Sequence, residues 1–281
     1  MPEMNLTNNG STILKKTHLV RHIYFLELLK RLDLEFMARK IPIWILKGPA
    51  LIFRYYENAS ERNYTDLDLF VEPQNWEKSM QVLKDLGGKP INGKKWMGNA
   101  FRAVYLFDNF PVEIHKGLLV DRDIDYSFIK DSRQTKIPGL VWFREPCAED
   151  LFVYLCGHGA FQHLFDEIQW LYDLNLLLLK ESASISWPKI FLRAKSYRLK
   201  NAVGVSLILL EKYYGHSVVS EKPLKPLASW FLRKTSARFL HPERIRKQLH
   251  KKPHAFYMFY KALMRDTIVE AFLYGLRRLT K

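Results

Sequence analysis

The sequence is poor in several things, and each shortage excludes a class of protein. It has two cysteines in 281 residues, Cys147 and Cys156. Two cannot build a disulfide framework, and they read as reduced side chains of an interior. No apolar stretch approaches the roughly 20 residues that a membrane-crossing helix needs. The densest, around Leu174–Leu179, is far shorter. The opening MPEMNLTNNGS lacks a basic segment followed by an apolar block, so no secretory signal is expected and the cytoplasm is the expected location. There is no internal repeat and no low-complexity tract. Aromatic residues make up 14% of the chain, which argues against disorder.

Acidic residues are scarce in one half only. Residues 1–150 carry 22 Lys and Arg against 20 Asp and Glu, whereas residues 151–281 carry 22 against 9. Of the formal net charge of +15, +13 therefore belongs to the C-terminal half. A polyanion contact through the basic residues 182–281 is one reading, and a solvated basic surface is the other.

Hydrophobic periodicity divides the chain into elements. Leu14, Leu19, His22, Ile23, Phe25, Leu26, Leu29 and Leu32 recur at helical spacing, which predicts a long helix over about 11–39. Ile43-Trp44-Ile45-Leu46 reads as a buried strand, broken by Gly48 and followed by a short helix. Asp66 to Val71 alternates polar and apolar, then turns apolar, as a strand with one polar face does. A helix is expected over about 75–86. Two strands, 100–107 and 111–115, are joined by a hairpin turn at Asp108-Asn109. Beyond Pro146 the pattern is helical, with segments near 147–162, 166–180, 187–197, 200–214 and 254–278. The class is α+β, a small mixed sheet with flanking helices over residues 1–145, then a basic helical region over 146–281.

Asp66 and Asp68 lie two apart on a strand, so both side chains take the same face. Adjacent carboxylates repel, and a divalent cation between them removes the repulsion. Oxygen ligands suit Mg²⁺ or Mn²⁺. Glu113, inside the apolar run Pro111–His115, supplies a third carboxylate if the two strands pair. Upstream, a strand ending at Gly48 and opening a helix can present backbone N–H groups to a phosphate, and Lys47 and Arg62 are cations for phosphate oxygens. His115 is a neighbour of the site on the face of Glu113. His158 and His163, five apart, fall on different sides of an α-helix, and with Cys156 they match no standard zinc spacing.

Lys47-Gly48, Ala50-Leu51, Arg62, Asp66-Leu67-Asp68-Leu69-Phe70-Val71 and Glu113-Ile114-His115 together resemble the nucleotidyltransferase superfamily with the DNA polymerase β-like fold. The closest likeness is to its bacterial branch of poorly characterised members. Leu155-Cys156-Gly157-His158-Gly159-Ala160 and Trp170-Leu171-Tyr172-Asp173-Leu174 resemble that branch too. The resemblance spans about residues 13–180 and implies transfer of a nucleoside monophosphate from an NTP such as ATP to an acceptor. The acceptor could be a small molecule, a protein or an RNA. It also implies that Asp66, Asp68 and Glu113 bind Mg²⁺ or Mn²⁺, with Glu113 helping to activate the acceptor hydroxyl. Lys47, Gly48 and Arg62 would hold the nucleotide. The chain departs from the pattern at Gly48-Pro49, where proline removes an N–H donor, and at Glu113, where Asp is commoner. The competing reading is a basic nucleic-acid-binding module with inactive carboxylates. Asp68→Asn is expected to leave the fold intact because Asn is nearly isosteric, with a slight rise in melting temperature without metal because a repelling charge near Asp66 is gone.

Overall fold

The computed structural model describes residues 8–91, 101–117, 119, 131–215, 261–262 and 264–267, with side chains from His18 onward. These residues fall into two compact units, one ending at Pro146 and the other beginning at Cys147.

The first unit opens with α1 (Asn8–Ala38). Phe25, Leu28, Leu29, Leu32 and Phe36 recur every three or four residues and are all buried. Each such side chain contributes roughly 1.5–3 kcal/mol by leaving water. Leu19 and Ile23, expected in the same stripe, are 47% and 53% exposed. They lie four apart and form a second apolar row. A helix this rich in leucine offers more than one row, and the surface it packs against selects which is used.

The strands are β1 (Trp44–Ile45), β2 (Leu67–Phe70), β3 (Lys89–Pro90), β4 (Arg102–Phe107), β5 (Phe110–His115), β6 (Arg133–Gln134) and β7 (Arg144–Glu145). Two helices interleave with them, α2 (Pro49–Tyr55) and α3 (Trp76–Asp85). The strands form one mixed sheet in the order β3-β4-β5-β2-β1-β7-β6. The β2–β5 and β1–β7 pairs are parallel and the others antiparallel.

The hairpin behaves as the sequence predicts. Asp108 and Asn109 both take positive φ, 47° and 69°, as a two-residue turn matched to strand twist requires. That turn sets the β4–β5 register, including Val104 opposite Glu113 and Arg102 opposite His115. Leu67, Leu69, Val71, Tyr105, Val112 and Ile114 belong to the core that includes the buried row of α1. Their alternates, Asp68, Glu113 and His115, take the other face.

Two buried carboxylates tie the outer part of this unit together. Asp33, from α1, accepts hydrogen bonds from the backbone N–H groups of Val141 (2.9 Å), Trp142 (3.0 Å) and Phe143 (2.8 Å). Glu145 accepts from Arg54 Nε (2.6 Å) and from the Thr135 hydroxyl (2.6 Å), which fastens α2 to the β6–β7 ribbon.

The second unit is helical: α4 (Ala148–His158), α5 (Ile168–Lys180), α6 (Trp187–Ser196) and α7 (Lys200–Tyr214). Asp150 is fully buried in it, with Arg193 Nε at 3.0 Å and the Tyr197 hydroxyl donating at 3.4 Å. The Asp266 carboxylate accepts from the N–H groups of Lys200 (3.0 Å) and Asn201 (2.9 Å) and so caps α7 from 65 residues away. A π-turn over Gly159–His163 continues α4. Its wider turn places residues five apart on one side. The rings of His158 and His163 are therefore 4.8 Å apart, and His163 stacks on Trp170 at 4.2 Å, where α-helical spacing had separated them. No helix among the described residues is long and apolar enough to cross a membrane. Most of the basic tail, including the helix expected over 254–278, lies outside the described residues.

Asp33→Ala removes the acceptor for three backbone donors at a nearly wholly buried position. The loss should be about 3 kcal/mol or more, since each buried donor left unpaired costs about 1–3 kcal/mol. A denaturant melt of parent and variant measures it, and a loss below about 1 kcal/mol would show that water replaces the carboxylate.

Candidate active site

The polar face of the sheet is assembled by one register. In the parallel β2–β5 pair Asp68 stands opposite Glu113, and Phe70 opposite His115. Paired residues in adjacent strands point to the same side, so both carboxylates and the imidazole gather on it. One atom each from Asp68, Glu113 and His115 lies within 4.8 Å of the others. His115 Nε2 is 3.2 Å from Asp68 Oδ1 and 3.6 Å from Glu113 Oε2. All three residues are buried.

Lys47 enters from the neighbouring strand. The Leu46 N–H donates to the Asp68 carbonyl at 3.0 Å, which extends the β1–β2 ladder by one residue and delivers Lys47 above β2. Its Nζ is 2.7 Å from Asp68 Oδ2 and 3.9 Å from Asp66 Oδ1. Gly48 follows with φ 65° and ψ −121°, a conformation that side chains resist. A Cβ there would also meet the Tyr64 ring at 3.3 Å. Tyr64 in turn is held by His22 Nδ1 against its hydroxyl at 2.8 Å and by stacking on Phe25. The glycine lets the chain turn against a fixed aromatic wall, and that turn aims Lys47.

The charges of the site divide by environment. Burial works against the ionised form of Asp68, but Lys47 and then His115 outweigh it and hold the group far below the usual carboxylate range. Burial also works against the Lys47 ammonium, and the Asp68 and Asp66 carboxylates outweigh it and hold the group above its ordinary value. Asp66 goes the other way. It is pushed up to about 6, first by burial and then by the Asp68 carboxylate. Its side chain is the more open, 26% exposed against 5% for Asp68.

The residues singled out in the sequence are thus placed as follows. Asp68, Glu113 and His115 meet, and Asp66 is linked to them through Lys47. Arg62 is buried at 2% exposure, with its charge felt by both Lys47 and Tyr64. The helix after Gly48 has only seven residues and begins with Pro49. Sequence reasoning passed over Arg102, whose Nη1 donates to Glu113 Oε2 at 2.9 Å. The signal for it was available: a two-residue turn at Asp108-Asn109 fixes the register, and that register sets Arg102 beside His115 and diagonal to Glu113.

A divalent cation fits this donor set. Carboxylate oxygens with one imidazole nitrogen are ligands for Mg²⁺ or, with the nitrogen, better for Mn²⁺. The Lys47 ammonium already stands against Asp68 as a cation.

The mixed sheet with its flanking helices thus presents paired carboxylates, Asp68 on β2 and Glu113 on β5, on its polar face. The family described as "uncharacterised nucleotidyltransferase" matches residues 15–215, and the chain belongs to it. Among solved structures, the chain is similar to ANT(2'')-Ia in complex with adenylyl-2''-tobramycin. The identity is 13%, the coverage 62% of this chain and 97% of that one, and the TM-score 0.47. It is also similar to the lincosamide antibiotic adenylyltransferase LnuA bound to lincomycin, with 16% identity, 56% and 94% coverage and a TM-score of 0.37. No curated protein matches the chain.

The structure revises the expectation for Asp68→Asn. Ionised Asp68 stabilises the fold at any pH above the usual carboxylate range, and the change leaves Lys47 buried without its closest partner. The expected loss is about 3 kcal/mol. Asp66→Asn should instead cost nothing or stabilise at pH 7. The folded state raises Asp66 above its ordinary value of 3.8, so its ionised form opposes folding there. The difference from the parent should shrink as pH falls through about 6 towards 4, where Asp66 takes up a proton by itself. Urea unfolding at pH 7 and pH 4 checks both, and equal losses at the two positions would contradict the division of charge.

Proposed function

We propose that the chain transfers a nucleoside monophosphate from a nucleoside triphosphate to an acceptor hydroxyl, using a divalent cation held on the polar face of the sheet. The observation that carries this reading is the meeting of Asp68, Glu113 and His115 within 4.8 Å, with Asp66 alongside. Family membership agrees with it.

Asp68 and Glu113 would hold the cation, Mg²⁺ or Mn²⁺, with His115 as a nitrogen donor and Asp66 at the more open side. When bound, the cation supplies charge neutralisation for the triphosphate and the leaving pyrophosphate and lowers the pKa of the attacking hydroxyl. The remaining roles belong to the chain. Glu113, oriented by Arg102, accepts the proton of the acceptor hydroxyl. The acceptor oxygen then bonds to the α-phosphorus while the bond to pyrophosphate breaks. Gly48 carries no side chain to obstruct a phosphate approaching the turn, and Lys47 offers its ammonium to phosphate oxygens. Arg62 supports the same region with a fixed positive charge from the interior. The sheet holds these groups in place before substrate arrives, which is how positioning lowers the barrier.

The test uses the full chain with each α-labelled NTP, Mn²⁺ or Mg²⁺, and a cell extract as the source of acceptor. Label should appear in a product together with pyrophosphate. Asp68→Asn and Glu113→Gln should each lower the rate by at least about 100-fold, since even groups behind metal ligands cost 10–100-fold. Transfer that persists in Asp68→Asn, or no incorporation from any NTP, would sink the reading.

A further inference from the structure

The Lys47 ammonium stands between the two aspartates on which the proposed cation would draw. It lies 2.7 Å from Asp68 Oδ2 and 3.9 Å from Asp66 Oδ1, with the Lys47 and Asp68 side chains only 10% and 5% exposed. A divalent ion binds a carboxylate oxygen at about 2.0–2.6 Å. It cannot take Asp68 Oδ2 while an ammonium holds that oxygen without bringing two buried cations into near contact. We infer that Lys47 is the resident counter-ion of the metal site: the divalent cation displaces its ammonium from Asp66 and Asp68, and the freed ammonium becomes the one that meets the triphosphate. This inference rests on the metal-dependent reading above and adds the order in which the site is filled.

Charge counting supports exchange over simple addition. Asp66, Asp68 and Glu113 bring three negative charges, and Lys47 and Arg102 pair with them. A divalent cation added to both would leave the group net positive in a buried setting, which is costly. With Lys47 turned towards an incoming phosphate, the balance is restored. Arg102 is less suited to leave, because it reaches Glu113 from the paired strand β4. Lys47 is suited by its chemistry, a compact point charge on a flexible four-carbon stem. Its backbone sits between a strand and the left-handed Gly48, so the stem is the part free to swing. Cation and nucleotide would then favour one another, since each removes an obstacle to the other.

Competition of this kind lowers the apparent metal affinity by the fraction of molecules in which Lys47 holds the site. If that state is about 90% populated, removing the ammonium raises affinity about tenfold. Calorimetric titration of Mn²⁺ into the full chain and into Lys47→Met at pH 8 should show that gain. Lys116→Met is the control for removing a positive charge from the same unit, because Lys116 follows His115 in the chain while its ammonium lies over the Trp76 ring at 4.9 Å. It should leave the affinity unchanged. A second measurement needs no variant. Acetylation of the parent by an amine-reactive ester, mapped by peptide mass, should rise several-fold at Lys47 when Mn²⁺ is added without nucleotide. Equal affinity in Lys47→Met, an equal gain in Lys116→Met, or Lys47 labelling unmoved by saturating Mn²⁺ would each overturn the inference while leaving the metal site standing. A parent that binds no Mn²⁺ would overturn the metal-dependent reading, and this inference with it.

Discussion

Carboxylates gathered on one buried face of a sheet need cations beside them, and much of the first unit is arranged around that need. Asp68 and Glu113 are neighbours because β2 and β5 run parallel in one register. Lys47 neutralises Asp68 from one side and Arg102 neutralises Glu113 from the other. Arg102 comes from β4, the strand hydrogen-bonded to β5, and Lys47 from the segment that follows β1, the neighbour of β2. A shift of either pairing by one residue would turn the side chains to the opposite face and leave charges in the apolar core. The register is thus guarded by electrostatics on one face and by the packing of Leu67, Leu69, Val112 and Ile114 on the other.

The same economy of placement appears farther from the site. Glu145 secures α2 through Arg54, and α2 begins at the turn that directs Lys47. Asp33 holds the loop leading into β7, whose parallel pairing with β1 supports that strand. These are buried acceptors with well-matched donors, and their effect is to specify a position as much as to stabilise it. The opposed shifts of Asp66 and Asp68 follow from position too. One carboxylate has the ammonium at 2.7 Å, and the other has it at 3.9 Å. Two identical side chains two residues apart thereby acquire different protonation behaviour.

In the helical unit, residues that α-helical spacing keeps apart are brought together by a change of helix type. The π-turn at Gly159–His163 ends in two non-glycine residues with positive φ, Leu164 and Phe165. Both are fully buried. Their burial holds a backbone conformation that isolated residues would leave, and the stacking of His163 on Trp170 is the outcome.

Much of this protein can be read from its sequence, because some signals are local. Alternation marked β2, the Asp108-Asn109 pair marked the hairpin, and Asp-x-Asp with a distant Glu marked the carboxylate face. The first two depend only on neighbours in the chain, where the period of side-chain direction is fixed by covalent geometry, while the third also needed β2 and β5 to pair. What tertiary structure decided were the partners. The order of strands determined that Lys47 falls on Asp68. It also determined that His115 joins Glu113 and Asp68, and that Leu19 and Ile23 face outward while Phe25 and Leu29 face the core. Such choices turn on distances of a few ångströms, several of them between residues far apart in the chain. Residue types and spacing name the groups that can meet, but only the packed sheet settles which charge lies nearest which, and with it the state of each.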